Sequence, residues 1–173
     1  MLNAQSDVFL PNGYVNRHGL TAASADVLDE AMAAARATRW EMICSAHIFM
    51  GLVATPDHTV GQWARQAGVG LGQRLVRFRR LFRKPGTREP ILRTHREFMT
   101  GDGIAVLRTA RERSEELNRT RITPADLLWA VLAQDGYVIA RLSDDGLPAP
   151  MLRVLLAEAE RLHSASGGPS RSA

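Results

Sequence analysis

Residues 43–52 read Ile43-Cys44-Ser45-Ala46-His47-Ile48-Phe49-Met50-Gly51-Leu52. At a shift of 79, residues 122–131 read Ile122-Thr123-Pro124-Ala125-Asp126-Leu127-Leu128-Trp129-Ala130-Val131. Few residues are identical, but the apolar positions coincide. The same shift relates Val27, Leu28, Ala31 and Ala54 to Val106, Leu107, Ala110 and Ala133. Gly68-Val69 then maps onto Gly146-Leu147 at 78, so the intervening loop has lost one residue. Apolar spacing held constant at low identity is the mark of an internal duplication.

Each copy reads as four short helices, so the fold expected is all-α, with two tandem four-helix repeats. The first helix carries Val27, Leu28, Ala31, Met32 and Ala35 on one stripe. The second starts near Ser45 in one copy and near Thr123-Pro124 in the other. There Thr123 can cap the helix, Pro124 suits its first position, and Asp126 favours its positive end. The third carries Val60, Trp63, Ala64 and Ala67 and stops at Gly68. The fourth turns Leu71, Leu75, Phe78 and Phe82 inward, and its counterpart carries Met151, Leu152, Leu155, Leu156, Ala159 and Leu162. No run of alternating apolar and polar residues argues for a sheet. The expected organisation is an irregular arm over 1–20, with a turn at Pro11-Asn12-Gly13. Repeat one follows over 21–83, a linker over 84–98, repeat two over 99–163 and a flexible tail over 164–173.

The chain has 173 residues, 45% hydrophobic and 23% charged, in the range of an ordinary globular domain. A single cysteine, Cys44, excludes an intrachain disulfide and any multi-cysteine zinc site. No apolar run approaches the roughly 20 residues that cross a bilayer. The opening MLNAQSDVFLPNGY lacks the pattern of an export signal, so the expected compartment is the cytoplasm. Net charge is +4, and Lys84 is the only lysine among 22 basic residues. Nine of them lie between Arg74 and Arg96 with one acid, Glu89. That strip carries +8 and leaves −4 on the rest of the chain.

The repeat resembles the N-terminal domain of Clp-family AAA+ unfoldases, the ClpC type above all. In that family each copy opens with Thr or Ser and carries a motif of the form I-G-T-E-H-I-L-L-G-L. Here Thr21 and Thr100 stand six residues before Val27 and Val106, and the two stretches quoted above fill the motif. The resemblance spans roughly residues 20–162. It implies a pseudo-twofold helical module with no catalytic activity, which docks adaptor proteins, client proteins or a Clp unfoldase ring. No cofactor, metal site or membrane contact is expected.

Two departures bear on function. No G-x-x-x-x-G-K-[ST] pattern is present, so no ATPase module lies in this sequence. That leaves a fragment of a longer unfoldase or a free-standing relative, and an arm longer than the family's favours the second. The resemblance also places phosphoarginine recognition on the Glu before His in each copy. Those positions are Ala46 and Ala125 here. A methyl group cannot pair with a guanidinium fork, so this recognition is expected to be lost. By resemblance the pocket positions pair Thr21 with Ala46 and Thr100 with Ala125.

The arginine strip has two readings. Arg74, Arg77 and Arg80 form either a solvated helix face near a C-terminus or a surface for an acidic partner. That partner would be a protein or, as the alternative, nucleic acid. No RNA- or DNA-binding motif accompanies the strip. Trp63 aligns with Arg141, so it is expected to be the tryptophan exposed for contact. His47 reads as a structural histidine. Its repeat mate is Asp126, which argues against a shared role. Cys44 reads as a buried, inert thiol. The remaining histidines lack metal-ligand spacing, and the acid pairs Glu115-Glu116 and Asp144-Asp145 point apart. No catalytic constellation emerges.

Overall fold

A computed structural model describes residues 7–86 and 88–166. The described residues form eight α-helices: α1 (Ala22–Ala37), α2 (Ser45–Ala54), α3 (His58–Ala67), α4 (Leu71–Phe82), α5 (Gly101–Glu116), α6 (Pro124–Leu132), α7 (Tyr137–Asp144) and α8 (Ala149–Ser166). No strand forms among the described residues, which leaves an all-α architecture of two four-helix repeats.

Matched local chemistry sets the helix ends in the two halves. Thr21 and Thr100 accept from the backbone N–H of Ser24 and Gly103 and so cap α1 and α5. Left-handed Gly68 and Gly146 end α3 and α7, and the next N–H reaches back to Ala64 and Leu142, at 2.8 and 2.9 Å. Arg39 and Asn118 do the same after α1 and α5 at φ of 65° and 54°. They stand at matched repeat positions.

The middle of the molecule is built from α2 and α6, which are apolar around nearly their whole circumference and therefore buried on all sides. Against them pack α1 and α5, one on each. The approach of α1 to α2 is close enough to need a glycine. A Cβ at Gly51 would sit 2.2 Å from the Val27 carbonyl oxygen.

The halves are stitched together by exchange. Leu20, before α1, pairs with Ile122 before α6, and Ile43, before α2, pairs with Met99 before α5. Thr21 N–H donates to Ile122 O, and Thr100 N–H donates to Ile43 O, both at 3.0 Å. All four residues are related by the 79-residue shift, so the two junctions are copies of one another.

The symmetry fails at the fourth helix. Along α3 runs α8, whereas α4 packs on α2 and has no comparable seam with α7. The fourth helix of repeat two is also longer, 18 residues against 12.

The ends of the chain differ from expectation. Residues 1–6, Thr87 and residues 167–173 lie outside the described residues, and with them part of the expected arm and tail. The rest of the arm is irregular but packed. It turns at Gly13, buries Val8, Phe9, Val15 and Leu20, and bonds to the linker through Val15 N–H to Thr94 O and Arg96 N–H to Gly13 O. Residues 164–166, expected in the tail, instead complete α8. There the Ser164 and Ser166 hydroxyls donate to the Glu160 and Leu162 carbonyls of the preceding turn.

Candidate docking surfaces

At each exchange junction a helix N-terminus meets the opposite repeat. The Ser24 hydroxyl donates to Ile122 O at 2.8 Å. At the matched place Gly103 has no side chain, and a Cβ there would lie 2.7 Å from Ile43 O. There the Thr100 hydroxyl oxygen lies 3.2 Å from that carbonyl, with its one proton directed to Asp102. Asp102 adds a cross-repeat contact, accepting from Ser45 N–H at 2.9 Å and from the Thr100 hydroxyl. Burial works against this carboxylate, but its bonds to Ser45 and Thr100 prevail and hold its pKa below the ordinary value. The matched pair in the other half is Ala23 and Pro124. Proline has no N–H to satisfy, so no acceptor is needed. The sequence reading missed Asp102. Its signal was that Ser45 and Asp102 are both polar where Pro124 and Ala23 are both without the corresponding group.

This geometry corrects the expected pocket pairs. The two helices α1 and α2 run antiparallel: Gly51 lies against Val27 and Ala31, and His47 meets Thr38 just past the end of α1. Thr21 and Ala46 therefore stand at opposite ends of the pair. By the same antiparallel arrangement of α5 and α6, Thr100 is remote from Ala125. Thr100 sits against Ile43–Ser45 and Thr21 against Ile122, so each junction crosses between repeats. Ala46 and Ala125 are both buried methyls.

His47 and Asp126 do share a role, against expectation. His47 Nδ1 accepts from Cys44 N–H at 3.1 Å, and Asp126 accepts from Thr123 N–H at 2.8 Å. Each lies at the third position of its helix and reaches back to the residue that starts it. A neutral imidazole and a carboxylate both offer the acceptor required. The Nε2 of His47 lies 3.0 Å from the Thr38 hydroxyl, which donates to Ala34 O, so Nε2 carries the proton. Burial lowers the pKa of His47 to about 4. Burial likewise raises that of the Cys44 thiol and keeps it protonated.

Around these two residues the halves use different chemistry. Asp126 is fully buried and pairs with Arg113 and Arg119, which also hold Glu160 of α8. Around His47 the rings of Trp40 and Phe82 pack instead, with centroids 5.4 and 6.1 Å away. Trp129 sits at the edge of the core beneath the Arg113 guanidinium.

The basic strip divides by function. Arg74 and Arg77 both pair with Asp145 just after α7, Arg77 at 2.7 Å. The bond from Arg77 leads in holding the Asp145 carboxyl below its usual pKa. Arg79, Arg80 and Arg83 are exposed and have no ion-pair partner among the described residues. Beside them Val76 and Leu81 stand exposed, a feature the inward spacing of Leu71, Leu75, Phe78 and Phe82 gave no reason to expect.

Trp63 is not a contact residue. It is 0% exposed, and its indole N–H donates to Leu152 O of α8 at 3.0 Å. Its alignment with Arg141 misled because the third helix of repeat one is covered by α8 and that of repeat two is left open.

Comparison with known proteins sets this arrangement in context. No curated protein sequence matches the chain. Solved structures of the same fold include the N-terminal domain of Hsp104 from Candida albicans, with 13% identity, a TM-score of 0.67, and coverage of 82% of this chain and 91% of that one. The N-terminal domain of the chaperone ClpD from Arabidopsis thaliana gives 15%, 0.60, 86% and 99% for the same measures. The N-domain of ClpV from Vibrio cholerae gives 19%, 0.58, 81% and 86%. The model of the Clp repeat N-terminal domain matches residues 19–145. The exchange junctions and the two-repeat helical core thus have their place: this chain belongs to the Clp repeat N-terminal domain family.

Proposed function

We propose that the chain is a non-catalytic protein-docking module of regulated protein unfolding and proteolysis, which binds an adaptor, a client protein or a Clp unfoldase ring. The observation that carries this reading is the outer side of α4. It presents Arg79, Arg80 and Arg83 without acidic partners, next to exposed Val76 and Leu81, on a member of this family. Phosphoarginine is not expected as its ligand. Ala46 and Ala125 carry buried methyl groups, and Asp102, the carboxylate bonded at the start of α2, is occupied by Ser45 and Thr100. Among the described residues no helix is long and apolar enough to cross a membrane.

The test is affinity capture on the tagged chain from nuclease-treated lysate, with identification by mass spectrometry. Enrichment of a Clp unfoldase or a small set of adaptors and clients is the expected result. Tight, saturable phosphoarginine binding in a separate titration would overturn that part of the reading.

The +8 strip between Arg74 and Arg96 favours a second reading, nucleic-acid binding. It predicts capture that disappears with nuclease, and affinity that falls steeply with salt as phosphate contacts are lost.

A further inference from the structure

The duplication provides an internal reference for what the fourth helix does when it is covered. In one half, α8 lies along α3. Trp63 donates to the backbone at Leu152, and Leu152 and Ala159 are buried in the seam, Ala159 at 1% exposure. At the shift of 78 the matching residues of the other half are Arg141, Arg74 and Leu81. Two guanidinium groups replace the apolar pair, and the larger Leu81 replaces alanine. A dry seam cannot form from these residues. Arg74 turns to Asp145 and Arg141 to Asp144. Contact between α4 and α7 is made by the arginine clasp on Asp145 and by Phe82 against Tyr137, with ring centroids 4.6 Å apart. Leu81 is left 44% exposed, and Val76, five residues earlier, is 61% exposed, as its mate Val154 is on α8.

Along this uncovered side runs a shallow groove of about 590 Å³, lined by Gly72, Gln73, Val76, Arg77, Arg80 and Leu81. At Gly72 a Cβ would meet nothing within 4 Å. Glycine within a helix costs about 1 kcal/mol relative to alanine. No packing in this chain accounts for it, but it leaves the groove open at one end. From His58 to Arg88 the sequence contains no acidic residue. The only described carboxylate meeting α4 is Asp145, already bound to Arg74 and Arg77.

We propose that this groove seats an amphipathic acidic helix of a protein partner. Apolar side chains three or four residues apart would rest on Val76 and Leu81, with carboxylates meeting Arg80 and Arg83. This rests on the docking reading above and names the partner's chemistry. The groove runs along a helix and sets apolar Val76 and Leu81 among arginines, so an amphipathic helix with an apolar stripe and acidic flanks fits it. The surplus of unpaired cations calls for acid. The exposed Val76 and Leu81 favour protein over nucleic acid, whose phosphates gain nothing from them.

The test uses the full chain and a fluorescein-labelled probe helix roughly five turns long. The probe carries leucines on one face and glutamates flanking them. Its controls are a scrambled peptide of the same composition and a short DNA duplex. Binding is followed by anisotropy and mapped by amide chemical shifts. The expected map is confined to Leu71–Lys84. Val76→Ser weakens the probe about fivefold through lost apolar contact, and Arg80→Glu about tenfold or more through charge reversal. Both positions are exposed, so thermal melts that match the parent chain check that folding is intact. Equal binding of the scrambled peptide overturns the helical seat, and tighter binding of the duplex at the same amides overturns the protein partner. Shifts elsewhere on the chain overturn the location. If the probe fails while a Clp unfoldase or adaptor is still captured from lysate, the seat is wrong and the docking function stands. If both fail, the docking function falls.

Discussion

His47 and Asp126 meet the same backbone demand, one with a neutral imidazole and the other with a carboxylate, and burial of the imidazole makes the His47 cap sensitive to acid. The pKa of His47 is about 4 in the folded protein, against about 6.5 when exposed in the unfolded chain. The unfolded state therefore binds the proton first as pH falls. Stability contributed by the neutral imidazole is complete above pH 6.5 and is lost progressively down to pH 4. The loss totals about 3 kcal/mol. Urea unfolding across that window should show this slope, and His47→Gln should flatten it. The sequence identified His47 as structural. It did not reveal the shared role with Asp126, because acceptor geometry rather than residue type unites them. Neither did it reveal the left-handed Arg39, since only its mate Asn118 has the usual chemistry for that conformation.

Among the helices, α2 and α6 were the most legible, because an apolar stretch repeated at one shift admits few readings. Their contact distances were not legible. Gly51 and Ala130 are matched positions, yet only the first lies where a methyl group would strike a backbone oxygen. Gly51→Ala should therefore destabilise by about 2 kcal/mol through overpacking, despite alanine's better helix propensity. Ala130→Gly should cost about 1 kcal/mol from propensity, with a further loss from the methyl's packing. Chemical denaturation of the two variants separates these mechanisms. The fourth helices show the limit of reading by repeat. Their inward spacing could be seen in the sequence, but whether a neighbour covers the remaining face depends on Arg74, Arg141 and Leu81 acting together across two helices. For the same reason the exposure of Trp63 was misjudged. The candidate pockets failed differently, since linear order suggested pairs within each repeat and the exchange of Leu20 with Ile122 and of Ile43 with Met99 crosses them.

At the scale of the whole molecule, that exchange leaves neither repeat with a complete set of backbone partners. Trp40 and Trp63 report on one repeat and Trp129 on the other. Unfolding followed by tryptophan fluorescence and by far-ultraviolet circular dichroism should give one coincident transition. Two separated midpoints would show that the repeats are independent. The linker has a further consequence. Pro85, Gly86, Arg88 and Glu89 are exposed, whereas Leu92 is buried and the bonds of Gly13 and Val15 fasten the chain at Thr94–Arg96. Chain continuity should therefore be dispensable in this exposed stretch. A chain nicked after Arg88 would remain a single particle, held by the crossed junctions, and the two pieces made separately would complement one another as a split protein does.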